Sequence, residues 1–149
     1  MKTLYVFLLC LYTSLTIAAQ PLCQIKHFSV NNGLSQGVVV NIMQDKKAFL
    51  WFATWNGLNK FDGYTFKNYK AFPGDGCTLT TNRFSYITES KDGDIWCKSY
   101  DNRAYLFDIQ TEKFIDILLP IESSLQQTNI VSNIYTLNKG ITWITCEHG

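Results

Sequence analysis

The side chains most able to do chemistry in this sequence are four aspartates, Asp45, Asp62, Asp92 and Asp108. Two carboxylates at a suitable spacing can hydrolyse a glycoside. Asp62 and Asp92, however, each precede a glycine in a turn signal, and Asp108 directly follows an apolar stretch. Aspartates in such places form turns by accepting hydrogen bonds from backbone N–H groups. Since no Ser/His/Asp set or phosphate-binding loop is present, we expect no catalytic residues and no enzymatic activity in this chain.

The histidines and cysteines form no metal-binding motif. No CxxC pair or Cys/His cluster has the spacing of zinc ligands, so we expect neither a metal site nor a cofactor. Four cysteines lie beyond residue 19, and they are Cys23, Cys77, Cys97 and Cys146. Their even number permits two disulfides in an oxidising compartment, but Cys97 and Cys146 lie in apolar patterns that favour buried free thiols. Sequence does not decide between these alternatives, nor does it give a pairing.

The beginning of the chain has the layout of a secretory signal peptide. Lys2 is followed by an uncharged, mostly apolar run from Leu4 to Ile17, and Ala18-Ala19-Gln20 offers small residues for cleavage. The alternative is an uncleaved anchor helix, which needs a longer apolar stretch. We therefore predict a signal peptide over residues 1–19 and export of the rest.

Charge excludes a nucleic-acid-binding surface. The 149 residues carry a formal net charge of +1, and the lysines and arginines are scattered singly apart from Lys46-Lys47. Binding to nucleic acid requires a basic stripe, and binding to a membrane surface requires a basic amphipathic helix. We find neither, so we expect no nucleic-acid partner for this segment.

A tryptophan recurs at intervals of 45 and 47 residues, at Trp51, Trp96 and Trp143. An isoleucine lies nine residues before each tryptophan, and a small turn residue lies three residues before it. These six residues are Ile42, Ile87, Ile134, Ala48, Gly93 and Gly140. The sequence is therefore an internal repeat of the length typical of β-propeller blades. The recurrent tryptophans and isoleucines are predicted to be core residues between blades.

Each repeat is predicted to form four short strands. In the first, β-branched and apolar segments alternate with turn signals, of which Asn56-Gly57 is a strong hairpin signal. We predict an all-β fold, with a partial β-propeller over 20–149 and about two and a half four-stranded blades at about 38–70, 82–118 and 129–149. Residues 71–81, which carry Pro, Gly and Thr, and residues 119–128 are predicted connectors between blades. No stretch beyond the signal peptide shows a sustained helical period of apolar residues.

The strings NNGLSQGVVVNIMQDKKAFLWFATWNGLNKFDGYTFKNY and TESKDGDIWCKSYDNRAYLFD resemble two-component regulator propeller repeats. The lead-in IKHFSVNNGLSQ, from Ile25 to Gln36, resembles the start of the periplasmic sensor of hybrid two-component histidine kinases in Bacteroides-type bacteria. The second repeat departs from the family at Cys97 and at Asn102-Arg103, where a small residue and Gly-Leu are usual.

The resemblance implies a periplasmic sensor of oligosaccharides. Its full-length parent would be a sensor histidine kinase anchored in the inner membrane, homodimeric, and regulating transcription. Its partners would be the ligand, the rest of its own propeller and the receptor. Neither histidine, His27 or His148, lies in a helical phosphoacceptor context, so the chain would be a non-catalytic N-terminal fragment. Two alternatives are a structural or protein-interaction propeller without a small ligand, and a truncated remnant.

Two aromatic residues occupy the place between the end of a strand and the following turn, Trp55 and Tyr100. Aromatic rings provide flat apolar surfaces that suit sugars, so we predict a ligand-binding role for both. The alternative is that they pack against neighbouring loops. Ile25 to Val30 is predicted to be a strand that closes the propeller by pairing with a blade beyond Gly149. An open propeller would be poorly stable and prone to association through its edge strands.

Overall fold

A computed structural model describes residues 25–71, 79–125, 128–137 and 140–147. The predicted signal peptide lies outside the described residues, as do Cys23, Cys77 and His148. The proposed disulfides therefore stay untested for Cys23 and Cys77. Cys97 and Cys146 are free thiols, as one of the two alternatives predicted. Burial raises the pKa of the Cys97 thiol, so this sulfur is unreactive.

The described residues form two four-stranded antiparallel sheets and one two-stranded sheet. The first sheet contains β1 (Val39–Gln44), β2 (Leu50–Thr54), β3 (Gly57–Phe61) and β4 (Phe66–Tyr69), and the second contains β5 (Phe84–Glu89), β6 (Ile95–Ser99), β7 (Ala104–Asp108) and β8 (Lys113–Asp116). The third contains β9 (Val131–Thr136) and β10 (Thr142–Cys146). Strands adjacent in sequence are adjacent in each sheet, which is the order of a propeller blade. The all-β fold and the propeller blades are confirmed.

The turns use the residues that the repeat places there. The small residues three positions before each tryptophan all adopt positive φ angles, of 66° at Ala48, 97° at Gly93 and 77° at Gly140. Asp62 and Asp108 have the turn-forming role that the sequence predicted. The Asp62 carboxylate accepts hydrogen bonds from two backbone N–H groups and a threonine hydroxyl, and the Asp108 carboxylate does the same in the second sheet. These bonds lower the pKa of both carboxyl groups.

The core lies between the first and second sheets and is centred on Trp51. Its indole is fully buried and stacks on Tyr69, with 5.9 Å between the ring centroids. It meets Phe107 of the second sheet edge-on, also at 5.9 Å. The indole Nε1 donates a 2.8 Å hydrogen bond to Asp45 Oδ2, which satisfies the one polar atom of the ring.

The prediction that every repeated tryptophan and isoleucine is a core residue is wrong for two of them. Trp143 is 59% exposed and Ile42 is 56% exposed, whereas Ile87 and Ile134 are buried. The repeated tryptophan faces the sheet that follows it, and the repeated isoleucine faces the sheet that precedes it. Within the described part of the chain, no sheet covers the outer face of either Ile42 or Trp143.

The second connector contains a helix that the sequence analysis did not predict. Helix α1 (Leu119–Leu125) begins beside Asp116, whose Oδ1 accepts the N–H groups of Leu118 and Leu119. The Arg103 guanidinium binds Asp116 and Glu122 at 2.9 Å each and so attaches the helix to the second sheet. Arg103 is one of the residues that depart from the family pattern, and in this chain it holds the helix.

The predicted closing strand from Ile25 to Val30 has no partner strand among the described residues, and its predicted partner beyond Gly149 is not one of them, so this pairing stays a prediction. Residues 25–29 have no regular structure, and a short 3-10 helix follows at Val30–Asn32. The Ser29 hydroxyl and the Asn32 side chain cap this 3-10 turn reciprocally. Phe28 instead packs edge-on against Phe61 and Phe66, so the lead-in covers the outer part of the first sheet.

Candidate functional site

The β2–β3 turn, the β6–β7 turn and the segments that lead into β1, β5 and β9 lie at one end of the sheets. We call this end the connection face. Backbone hydrogen bonds join its parts, since the N–H of Trp55 donates to Val38 O at 3.3 Å and the N–H of Tyr100 donates to Arg83 O at 2.8 Å. The two turns are therefore anchored in equivalent ways in successive blades.

The β2–β3 turn places Trp55 through three neighbouring residues. The Thr54 hydroxyl donates to Gly57 O at 2.8 Å and accepts the Asn56 N–H at 3.1 Å. Gly57 has a φ of 115°, and a Cβ there would lie 2.6 Å from Tyr69 O, so only glycine fits. The Gly57 N–H donates to Asn82 O of the first connector at 2.7 Å. The predicted hairpin is confirmed, although its two central residues are Trp55 and Asn56.

The β6–β7 turn holds Tyr100 by a variant of the same arrangement. Asn102 takes the position of Gly57 with a φ of 60°, a conformation that asparagine tolerates better than most residues. Ser99 takes the position of Thr54, and its hydroxyl hydrogen-bonds Asp101 Oδ1. The β6–β7 turn is one residue longer than the β2–β3 turn, since the Ser99 N–H donates to Arg103 O whereas Thr54 pairs with Gly57.

The two predicted ligand-binding residues come together on the connection face. The rings of Trp55 and Tyr100 meet edge-on, with 6.4 Å between centroids and an interplanar angle of 66°. Trp55 remains 42% exposed and Tyr100 remains 61% exposed. The two rings therefore pack against each other, as the alternative of local packing predicted. Each ring nevertheless keeps a large surface open to a ligand.

Arg83 is the third member of this cluster, and sequence reasoning missed it. Its guanidinium carbon lies 5.6 Å from the centroid of the Trp55 ring. Its position in the repeat could have indicated it, because Arg83 directly precedes β5 just as Val38 directly precedes β1. We call Trp55, Tyr100 and Arg83 the aromatic–arginine cluster.

Hydroxyl groups fix the segment that carries this cluster. Thr80 Oγ1 donates to Asp101 Oδ2 at 2.5 Å, and it lies 2.9 Å from the Tyr105 hydroxyl. The Thr80 N–H also donates to that phenol oxygen, at 3.2 Å. Burial raises the pKa of Tyr105, so the phenol stays protonated at neutral pH. Both Asp101 oxygens are thus engaged by hydroxyl groups beside the cluster.

The opposite end of the sheets has a different character. A groove of about 450 Å³ is lined there by Lys46, Glu89, Ser90, Lys91 and Thr136 among others. The Lys46 ammonium donates to Ser90 O and Lys91 O at 3.1 Å each, which joins the turns of two blades. Among the described residues, no aromatic side chain lines this groove, whereas Phe49 and Tyr69 line a smaller groove of about 280 Å³ beside the Asp62 turn.

The described residues do not contain a group of three side chains able to hold a metal ion. Within the same ranges, none of the helices has the length and apolar character needed to cross a membrane.

Comparison with known proteins shows what the chain resembles. No profile of a protein family matches the chain. Histidine kinase P4 of Formosa agariphila is 49% identical over 55 residues, which is 37% of this chain and 4% of the kinase. The extracellular domain of a B. thetaiotaomicron protein assigned as the hybrid two component system BT3049 is 28% identical with a TM-score of 0.65, covering 80% of this chain and 17% of that one. The resemblance to two-component propeller sensors is confirmed.

A second solved propeller sensor shares the fold. The extracellular domain of the B. thetaiotaomicron protein BT4673, assigned as a hybrid two component system, is 22% identical with a TM-score of 0.56, covering 83% of this chain and 17% of that one. The BT3049 domain is extracellular, in agreement with the predicted export. The chain spans about a sixth of the length of these domains.

Proposed function

We propose that this chain is part of the periplasmic, ligand-sensing propeller of a sensor histidine kinase and that its connection face binds an oligosaccharide. The observation that carries the proposal is the pair of exposed, touching rings of Trp55 and Tyr100. In this proposal the chain itself is non-catalytic. The kinase activity, the membrane anchor and the homodimer contacts belong to the rest of the receptor.

The chemistry of the rings suits a sugar. An aromatic ring has a negative face, which attracts the weakly positive C–H groups on the apolar face of a pyranose. Two rings at an angle of 66° present two differently oriented surfaces to adjacent sugar units. Both rings sit on turns that are pinned by backbone hydrogen bonds, so little conformational entropy is lost on binding.

Signalling requires more than binding. A ligand shifts a receptor equilibrium only if it binds one receptor state more tightly than the other. The connection face is built from segments of successive blades, joined for example by the hydrogen bond from Gly57 N–H to Asn82 O. A ligand that spans Trp55 and Tyr100 therefore favours one relative position of two blades. Ligand binding can therefore change the conformation of the propeller.

We expect Trp55→Ala to weaken oligosaccharide binding by about tenfold, since losing one stacked ring costs about 1–3 kcal/mol in comparable stacking on nucleobases. The measurement is isothermal titration calorimetry of the full chain with soluble oligosaccharides. Tyr64→Ala is the matched control, because Tyr64 is another exposed aromatic residue but lies in the β3–β4 turn at the opposite end of the sheets. Equal binding by the parent chain and both variants would contradict the proposal. It would favour the alternative of a structural or protein-interaction propeller.

A further inference from the structure

We propose that the aromatic–arginine cluster selects acidic oligosaccharides, with Arg83 pairing with the carboxylate of a uronic acid unit. This inference rests on the proposed function and specifies its ligand class. Its starting point is the different environment of the two arginines in the sequence, Arg83 and Arg103.

Arg103 is a satisfied structural arginine. Its guanidinium binds the carboxylates of Asp116 and Glu122, and its side chain is only 16% exposed. Arg83 belongs to none of the ion pairs found among the described residues, and it is exposed to solvent. Within the same ranges its guanidinium contacts the Trp55 ring. The guanidinium therefore retains its hydrogen-bond donors for an external acceptor.

The position of Arg83 is fixed by its backbone. Its N–H donates to Thr81 Oγ1 at 3.2 Å, and its carbonyl accepts the Tyr100 N–H at 2.8 Å. Contact with an aromatic ring further limits the side chain without using any of its donors. A planar guanidinium held in this way matches a planar carboxylate with two parallel hydrogen bonds.

The acidic residue beside the cluster does not neutralise Arg83. Both oxygens of Asp101 accept hydrogen bonds from the Ser99 and Thr80 hydroxyls, and Asp101 forms no ion pair with Arg83. A carboxylate carried by a sugar stacked on Trp55 or Tyr100 would thus meet an unneutralised cation at the edge of the stacking surface. A neutral sugar would use the rings alone.

The test compares tetrameric oligouronides with the same oligouronides after reduction of their carboxyl groups to alcohols. This pair differs only in the charged group. We expect the full chain to bind the acidic form about tenfold more tightly than the reduced form, a difference that falls with added salt because the pair is exposed. We expect Arg83→Gln to remove the preference and Arg83→Lys to retain part of it. A third ligand is a neutral tetramer that carries sulfate groups. If it binds as tightly as the oligouronide, the inference that Arg83 selects a carboxylate is overturned.

The failure of this inference differs from the failure of the proposed function. If acidic and reduced tetramers bind equally and Trp55→Ala weakens both, the site binds sugars but the role of Arg83 is wrong. If neither form binds, the inference and the proposed oligosaccharide site both fall. Retention of the preference in Arg83→Gln would also overturn the inference.

Discussion

Replacing Trp51 with alanine is expected to lower the free energy of unfolding by about 4 kcal/mol. Trp51 is fully buried between the first two sheets, where it contacts Tyr69 and Phe107. The substitution would leave a cavity that these rings fill only in part, because each is fixed by its own neighbours. It would also remove the Nε1 donor from Asp45, a carboxylate that is itself buried.

The matched control for this substitution is Trp143→Ala. Trp143 occupies the same repeat position but is 59% exposed, so its loss is expected to cost much less than the loss of Trp51. Urea unfolding followed by circular dichroism measures both changes in the full chain. Equal losses of stability in the two variants would show that the second sheet does not cover Trp51. They would contradict the packing of the first two sheets described above.

Replacing Arg103 with alanine is expected to cost about 3 kcal/mol, since removing the cation of a buried ion pair takes away its attraction for the carboxylates. Arg103 serves two carboxylates, and the side chain of Asp116 is only 4% exposed. The Asn129 N–H and then the Arg103 guanidinium lower the pKa of Glu122. We therefore also expect the Glu122 contribution to stability to be lost as pH falls through this lowered pKa, and Arg103→Ala to weaken that dependence.

The control for Arg103 is the ion pair between Lys67 and Glu112. It links the first two sheets, but both side chains are exposed to solvent. Lys67→Ala should therefore cost far less stability than Arg103→Ala. Urea unfolding at neutral and acidic pH gives both comparisons. A loss in Lys67→Ala as large as that in Arg103→Ala would contradict the assignment of Arg103 as the anchor of α1.

The sequence predicted the blades because their signals are local and repeated. The turn residue three positions before each tryptophan and the Asp62 and Asp108 turns depend on interactions within a few residues, and they formed as expected. Burial depends instead on which sheet lies alongside. Ile42 and Ile87 have the same place in the repeat, yet only Ile87 has a described sheet on the face that its side chain occupies.

Helix α1 and the 3-10 turn of the lead-in escaped prediction for different reasons. The helix has seven residues, too few to show an apolar period, and the ion pairs of Arg103 that hold it join distant parts of the sequence. The lead-in has the apolar character of a strand, but the Ser29 and Asn32 caps favour a tight turn. Tertiary contact of Phe28 with the first sheet then fixes it in place.

The two aromatic members of the candidate site were accessible from sequence, and the arginine was not. Trp55 and Tyr100 were found because both lie between the end of a strand and a turn. Their contact with each other and with Arg83 depends on how two blades pack, and no spacing rule within one repeat gives that distance. Arg83 became visible only when the ion pairs of the folded chain showed which arginine was satisfied.

Hydrogen exchange with and without a bound oligosaccharide tests the central claim most directly. The amides of the β2–β3 turn, the β6–β7 turn and residues 80–83 should be protected by the ligand, because they carry the aromatic–arginine cluster. The β1–β2 and β5–β6 turns at the opposite end should exchange at unchanged rates. Protection confined to that opposite end would place the ligand in the groove beside Ser90 and Lys91 and contradict a sugar site on the connection face.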